Sequence, residues 1–161
     1  MVPSPSVAAP ALAASLPERG GLGWGRERVE AAVRELLEQP DEARLDRHWA
    51  RAREQVREYA LREGGRERAA LVVAGWCLGS DSAVIPARVW RFAAGVELLH
   101  TLWWMHDDVA ERAWLRRGGL ALHHLLAPGR GGEDLAVVAG DHLFALAMEA
   151  MLGSGLPGAA R

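Results

Sequence analysis

The chain has 161 residues, of which half are apolar and a quarter are charged, and its formal net charge is −2. This composition indicates one globular domain with a sizeable core, and the charge excludes whole-molecule attraction to nucleic acid. The single cysteine, Cys77, cannot form an internal disulfide, which favours a cytoplasmic protein. The chain has no lysine, so lysine Schiff-base chemistry is excluded.

The first part of the chain predicts a leader and then a helix. Residues 1–24 are rich in Pro, Ala, Ser and Gly, and we interpret them as a disordered leader outside the fold. A helix is predicted from Arg26 until Pro40 stops it. Its apolar face consists of Val29, Val33, Leu36 and Leu37.

Two further helices are predicted before residue 80. Asp41 is a suitable N-cap for the second helix, which the pair Gly64-Gly65 ends. Apolar residues recur in it at three- and four-residue steps, at Leu45, Trp49, Ala52, Val56 and Tyr59. A mostly apolar third helix is predicted over residues 67–78, ending at Gly79. Its apolar run, 69–78, is too short to span a bilayer, which needs about 20 residues.

The remainder predicts two long helices with breaks between them. Pro86 suits the first turn of a helix that continues to about Ala110, and a last helix is predicted over 134–152. Gly118-Gly119 and the stretch 128–132 are predicted breaks. No segment of useful length alternates with period two, so we predict an all-α helical bundle over 25–155, with a tail at 156–161.

An acidic cluster lies where the fourth helix is predicted to end. Asp107, Asp108 and Glu111 crowd a helix C-terminus, where the macrodipole disfavours negative charge unless a cation offsets it. Oxygen ligands of this density suit Mg²⁺, and Arg116 and Arg117 follow with guanidinium groups that match phosphate oxygens. The pattern predicts a magnesium and diphosphate site. The simpler interpretation is a solvated helix end with its own ion pairs.

The order of several motifs resembles the trans-isoprenyl diphosphate synthase (polyprenyl synthetase) family. In that family ELxH is followed after five residues by HDDxxD, then by an arginine pair and glycine, a histidine, and AGD at the start of a later helix. The matching segments here are 97–100, 106–111, 115–118, His123 and 139–141. The resemblance covers residues 60–152 and implies a partial isoprenoid-synthase fold.

The resemblance also implies a metal site and a reaction. Asp107 and Asp108 match the first two aspartates of the aspartate-rich motif, which hold Mg²⁺ on the diphosphate of the allylic substrate. Glu111 stands at the motif's last aspartate and keeps its charge. The implied reaction is a prenyl transfer, in which Mg²⁺ assists ionisation of an allylic diphosphate and isopentenyl diphosphate attacks the resulting cation.

Substrate-binding residues follow from the same resemblance. Arg116 and Arg117 match the arginine pair that contacts diphosphate groups, and His100 matches a position that helps to bind isopentenyl diphosphate. Gly64-Gly65 with Arg66 and Arg68 resembles an altered form of the family's GGKRxRP diphosphate motif. It lacks the lysine and the proline, and Glu67 places a carboxylate where it would repel the same anion.

Product length in this family depends on bulky residues one turn before the aspartates. Trp103 precedes Asp107 by four residues, on the same helical face, and Leu99 lies one turn further back. The resemblance implies that these side chains form the floor of the hydrocarbon pocket. A short product of 10 or 15 carbons is therefore expected.

Family members are about twice as long as this chain and carry a second aspartate-rich motif in their second half. Without it, we expect this polypeptide alone to have little or no activity and to expose apolar helix faces. It is expected to form a homo- or hetero-oligomer, or to belong with a missing C-terminal half. One alternative is a non-catalytic subunit that modifies a full-length synthase. Others are a helical interaction protein that retains only the scaffold, and a class I terpene cyclase.

Overall fold

The computed structural model describes residues 25–38, 47–82 and 84–156. In these ranges the chain forms helices joined by short connections and one small hairpin. The helices are α1 (Arg26–Leu37), α2 (Arg47–Leu61), α3 (Glu67–Gly79), α4 (Ala87–Ala110), α5 (Leu122–Leu126) and α6 (Arg130–Leu152). The prediction of an all-α bundle is confirmed.

The centre of the fold is the pair of long helices α4 and α6, which pack along each other. Helices α1 and α3 contact the other side of α4, and α5 contacts α6. The pair is held by small and medium apolar side chains, which let the two helix axes approach closely. Those buried in the core include Val89, Ala93, Leu98 and Met105 of α4 and Ala136, Ala139, Leu143 and Ala147 of α6.

The first three predicted helices match the structure closely in the described ranges. The four residues of the predicted apolar face of α1 are all buried. In α2, Val56 and Tyr59 are buried, and the helix ends before the glycine pair. Helix α3 has its predicted bounds within one residue. The predicted leader, Pro40, Asp41 and Leu45 lie outside the described residues.

A two-stranded hairpin follows α4, at the first predicted break. Strands β1 (Leu115–Arg116) and β2 (Gly119–Leu120) pair antiparallel, and the turn between them has positive φ at both Arg117 (48°) and Gly118 (76°). Two consecutive left-handed residues define a tight two-residue turn that glycine favours and arginine does not. The Arg-Arg-Gly segment is therefore a hairpin turn, a local structure that the sequence analysis did not predict.

Helix α6 begins at Arg130, four residues before its predicted start, so the predicted break over 128–132 is too long. Gly132 lies inside the first turn of this helix, where it packs against the backbone of α5 and of the turn that follows it. A β-carbon on it would lie 2.1 Å from the carbonyl oxygen of His123 and 2.2 Å from that of Ala127. This glycine thus serves a close approach of α5 to α6, and it is not a helix breaker. At the other end, Leu156 packs against the core although it was assigned to the tail.

Among the described residues, α6 alone is long and apolar enough to cross a membrane by length and composition. A core helix meets the same criteria. Helix α6 buries eight residues and packs mainly against α4 and α5. That packing accounts for part of its apolar character, while Leu135, Val138, Phe144 and Leu152 of the same helix remain exposed.

Candidate functional site

The three carboxylates at the end of α4 lie in two different environments. Asp107 and Glu111 are exposed and stand one helical turn apart, since the Glu111 N–H donates to the Asp107 carbonyl oxygen at 2.8 Å. Asp108 points the other way and is fully buried, with 0% of the residue exposed. Successive residues of a helix are rotated by about 100°, so neighbours in sequence face different surroundings.

Asp108 is held by two partners from other parts of the fold. The Tyr59 hydroxyl of α2 donates to its Oδ2 at 2.7 Å, and the Arg116 Nε donates to its Oδ1 at 2.8 Å. Burial and the bond to Asp108 raise the pKa of Tyr59, so it stays a neutral donor. The bond to Asp108 also raises the pKa of Arg116. The oxygens of Asp108 are therefore already engaged by protein donors.

The hairpin is fixed to α2 by Arg62. Its Nη1 donates to the carbonyl oxygens of Arg116 at 2.9 Å and Leu120 at 2.8 Å, and its Nη2 pairs with Glu58 at 2.8 Å. These bonds connect the end of α2 to both strands of the hairpin. Arg62 thereby sets where Arg116 and Arg117 lie relative to α4.

A second group of predicted residues gathers around Trp104 of α4. The Arg117 guanidinium carbon lies 3.7 Å from the Trp104 ring centroid, and the His100 ring meets the same indole edge-on at 4.3 Å. His100 is 7% exposed, and neither ring nitrogen has a hydrogen-bond partner within the described part of the chain. Burial lowers the pKa of His100, and the charges of Arg68 and Arg117 lower it further. The sequence-predicted residues Arg68, His100 and Arg117 therefore share one region.

Arg66 is placed differently from its predicted role. It is 2% exposed and adopts left-handed backbone, with φ 52°, at the start of α3. Its guanidinium lies 3.8 Å from Glu97 and 3.7 Å from Glu30, and it donates to the Ala60 carbonyl oxygen at 3.1 Å. Arg66 thus joins α1, α3 and α4 from inside the protein, and the structure does not bring it to the surface with Arg68.

The two residues predicted to floor the hydrocarbon pocket lie on α4 below Asp107. Trp103 is 55% exposed, and Leu99 is half-buried against the core. The indole of Trp103 stands edge-on to His100, with centroids 6.5 Å apart. Within the described residues, no element covers the exposed part of Trp103.

The Ala139-Gly140-Asp141 segment meets the aspartate motif across the α4–α6 contact. His106 Nε2 lies 3.2 Å from the Val137 carbonyl oxygen, and a β-carbon on Gly140 would lie 2.3 Å from that same nitrogen. Only glycine leaves room for the imidazole there. The spacing between the two motifs in sequence therefore reflects a direct contact between them in space.

The residues fit a magnesium ion only as part of a larger ligand shell. Within the described ranges, no three side chains of His, Cys, Asp or Glu converge as a metal site would require. Asp107 and Glu111 provide two exposed carboxylates on one helix face. Mg²⁺ in proteins is commonly held by one or two carboxylates, with water and substrate phosphates completing its octahedron, so this donor set fits a metal that arrives with a diphosphate.

The sequence profile of the Polyprenyl synthetase family matches residues 51–158, which include the aspartate motif, the hairpin and α6. The chain belongs to the polyprenyl synthetase family. The match confirms the resemblance predicted from the motifs, because residues 51–158 include every motif segment on which that prediction was based.

This polyprenyl synthetase member is also similar in sequence to named isoprenyl diphosphate synthases. It is 43% identical over 63 residues to a short chain isoprenyl diphosphate synthase of Methanothermobacter thermautotrophicus, covering 39% of this chain and 18% of that protein. A chloroplastic geranylgeranyl pyrophosphate synthase of Catharanthus roseus is 36% identical over 113 residues, covering 68% of this chain and 29% of the relative.

The fold agrees with a solved structure. A geranyltranstransferase of Thermotoga maritima superposes with a TM-score of 0.65 at 31% identity, covering 84% of this chain and 46% of that one. The chain thus spans less than half of the solved relative and about a third or less of the curated relatives described above.

Three residues of the site escaped the sequence analysis: Tyr59, Arg62 and Trp104. Tyr59 is the only tyrosine in the chain and was assigned to an apolar face, yet a buried tyrosine hydroxyl usually finds a hydrogen-bond partner. That requirement was the one available signal. Arg62 and Trp104 gave none, because their partners lie far away in sequence or in the unpredicted hairpin.

Proposed function

We propose that this chain carries the aspartate-motif half of a prenyl-transferring active site and binds an allylic diphosphate with Mg²⁺. The reaction served is condensation of that substrate with isopentenyl diphosphate. The observation that supports this most is the exposed pair of Asp107 and Glu111 at the end of α4, with His100 near enough on the same helix for the charge of Asp107 to act on it, in a member of the polyprenyl synthetase family.

In this proposal, Asp107 and Glu111 hold the metal, and Mg²⁺ when bound neutralises the charge of the leaving diphosphate. Asp108 contributes from behind. Its bonds to Tyr59 and Arg116 fix the last turn of α4 and so orient the two exposed carboxylates. This division refines the prediction that Asp107 and Asp108 act alike.

The diphosphate groups are proposed to bind to Arg68, Arg117 and His100. A lowered pKa keeps the His100 imidazole neutral near pH 7, so it serves as a hydrogen-bond donor or acceptor and not as a cation. Arg116 is also proposed to contact diphosphate, using the exposed part of a side chain that pairs with Asp108. Arg66 supports this surface from within and does not touch substrate.

Trp103 and Leu99 are proposed to line the floor of the hydrocarbon pocket. The Trp103 indole stands one turn below Asp107, so a prenyl chain that grows away from the metal along α4 would meet it. Closing this pocket against water requires further protein, since water would quench an allylic cation. We therefore propose that a partner subunit or a further segment covers this face, as a homo- or hetero-oligomer.

The alternative is a non-catalytic subunit that modifies a full-length synthase. The altered segment from Gly64 to Arg68 favours it. The Arg66 guanidinium is buried, and Glu67 lies close enough for its charge to act on both His100 and Arg117. Weaker binding of one diphosphate substrate would be compatible with a subunit that does not catalyse the reaction but changes the pocket of its partner. Cys77 is free, which supports a cytoplasmic location in either case.

A calorimetric titration tests the proposed function. The 161-residue chain is titrated with a geranyl S-thiolodiphosphate, whose carbon–sulfur bond resists ionisation, in Mg²⁺ and in EDTA. We expect binding only with Mg²⁺. In Asp107→Asn and Glu111→Gln the affinity should fall at least about tenfold, or 1.4 kcal/mol, because each loses a charged metal ligand.

The matched control is Asp81→Asn, which removes an exposed carboxylate between α3 and α4. It should leave the affinity unchanged. Binding that is equal in Mg²⁺ and EDTA, or that survives Asp107→Asn, contradicts the proposal. The alternative is distinguished by adding the chain to a full-length synthase, since only a modifying subunit shifts the length of that enzyme's product.

A further inference from the structure

The guanidinium of Arg117 lies over the ring of Trp104. Its central carbon is 3.7 Å from the centroid of the Trp104 ring, well inside the distance of about 6 Å at which a cation is attracted to an aromatic face. Trp104 belongs to α4, whereas Arg117 is in the hairpin turn with φ 48°. A helix and a tight turn thus meet through one stacked pair.

The backbone at Gly64 also lies close to this guanidinium. A β-carbon there would lie 2.5 Å from both the Cζ and the Nη1 of Arg117, far inside van der Waals contact. The same Nη1 donates to the Arg62 carbonyl oxygen at 3.4 Å. The guanidinium therefore contacts both an indole ring and glycine backbone, and one of its N–H groups is directed to the end of α2.

A guanidinium has five N–H donors, and the bond from Nη1 to the Arg62 carbonyl oxygen leaves others for a ligand. Arginine recognises phosphate through N–H groups in its plane, so stacking on an aromatic face does not block that contact. Burial lowers the pKa of Arg117 and the charge of Arg66 lowers it further, but an arginine side chain stays protonated in proteins. A charge held in one orientation loses less entropy when it binds an anion.

We propose that Trp104 is a positioning residue, which with the open backbone at Gly64 holds the Arg117 guanidinium ready to bind a phosphate group. This inference rests on the proposed function, because it assumes that the surface near Arg68, His100 and Arg117 receives a diphosphate. Trp104 itself touches no substrate in this account. Its effect passes through the side chain of Arg117.

Titration with inorganic pyrophosphate in EDTA and at low salt isolates this arginine surface from the metal site. In Trp104→Leu the dissociation constant should rise about tenfold, the loss of roughly one charge-assisted hydrogen bond. Trp104→Phe keeps an aromatic face and should remain within about threefold of wild type. Thermal melts of the same variants report any general loss of stability.

The matched control is Trp76→Leu. Trp76 on α3 also lies near an arginine, with the Arg88 Cζ 5.6 Å from its ring centroid. It lies near the end of α3, whereas Gly64 precedes the start of that helix. It should stay within about twofold of wild type. Unchanged affinity in Trp104→Leu, an equal loss in Trp76→Leu or Trp104→Phe, or no binding by the wild-type chain overturns the inference. The proposed function fails separately, through loss of the Mg²⁺-dependent binding described above.

Discussion

Adjacent aspartates in this motif lie in different surroundings because a helix turns them toward different neighbours. Asp107 faces outward with Glu111, whereas Asp108 faces Tyr59 and Arg116. A buried carboxylate is tolerated only with charged or hydrogen-bonding partners, and the pairing of Asp108 meets that requirement. The pair also offsets one of the negative charges that the macrodipole disfavours at the end of α4.

Asparagine at each position should therefore give opposite patterns of stability and binding. Asp108→Asn leaves Arg116 without its charged partner and should lower the free energy of unfolding by about 3 kcal/mol. Asp107→Asn should change it by less than about 0.5 kcal/mol, since the site is exposed. Urea denaturation followed by tryptophan fluorescence measures both.

Tyr59→Phe serves as the control for this assignment, since it removes only the hydroxyl that bonds to Asp108. It should cost about 1–2 kcal/mol, less than Asp108→Asn. Equal losses for Asp107→Asn and Asp108→Asn would show that the two carboxylates are equivalent and that the assignment of Asp108 to a supporting role is wrong.

At the scale of elements, the position of α6 depends on how closely α5 and its following turn approach it. Gly132 touches the carbonyl oxygens of His123 and Ala127, but Gly131, one residue earlier in the same turn, has nothing within 4 Å of a β-carbon. A side chain can therefore be accommodated at Gly131 but not at Gly132. The contact sets the start of the helix that meets His106.

Alanine substitutions separate the two glycines. Gly131→Ala should raise the free energy of unfolding by roughly 0.4–1 kcal/mol, because alanine restricts the unfolded chain and suits a helix. Gly132→Ala should lower it by at least about 2 kcal/mol, since rigid backbone must move to admit the methyl group. Thermal or chemical denaturation decides the matter. Stabilisation by both variants would contradict the packing described for α5 and α6.

Most of the helices could be predicted from the sequence because their apolar side chains recur with the helical period. Helices α1, α3 and α4 were placed within one or two residues because apolar side chains recur at helical spacing and Gly or Pro marks their ends. The Asp-rich end of α4 was found from its charge and spacing. The early start of α6 was missed because a glycine pair normally predicts a break.

The side-chain contacts within the candidate site could not be predicted from the sequence in the same way. The Tyr59–Asp108 bond joins residues 49 apart in sequence, and the stack of Arg117 on Trp104 requires a hairpin turn with an arginine in the left-handed region. Arg66 was predicted as a phosphate ligand from its neighbours, yet its burial depends on Glu30 and Glu97 from two other helices. Such contacts arise from tertiary packing and leave no local pattern.

At the scale of the whole molecule, α4 and α6 expose several large apolar side chains. On α4 and α6 they include Trp103, Leu135, Val138, Phe144 and Leu152. The solved relative is covered over 46% of its length. Burial of such side chains on further protein would stabilise the assembly by roughly 25 cal/mol per Å² of apolar surface, and it would cover the exposed indole of Trp103.

The central claim is that Asp107 and Glu111 receive the metal while Asp108 stays within the protein. The most direct test is a crystal of the chain grown with Mn²⁺ and inorganic pyrophosphate, in which anomalous scattering locates the ions. The account predicts Mn²⁺ bonded to the carboxylates of Asp107 and Glu111 and to pyrophosphate, with Asp108 still paired to Tyr59 and Arg116. Mn²⁺ on Asp108 with Arg116 displaced, or pyrophosphate bound without metal at the end of α4, would contradict it.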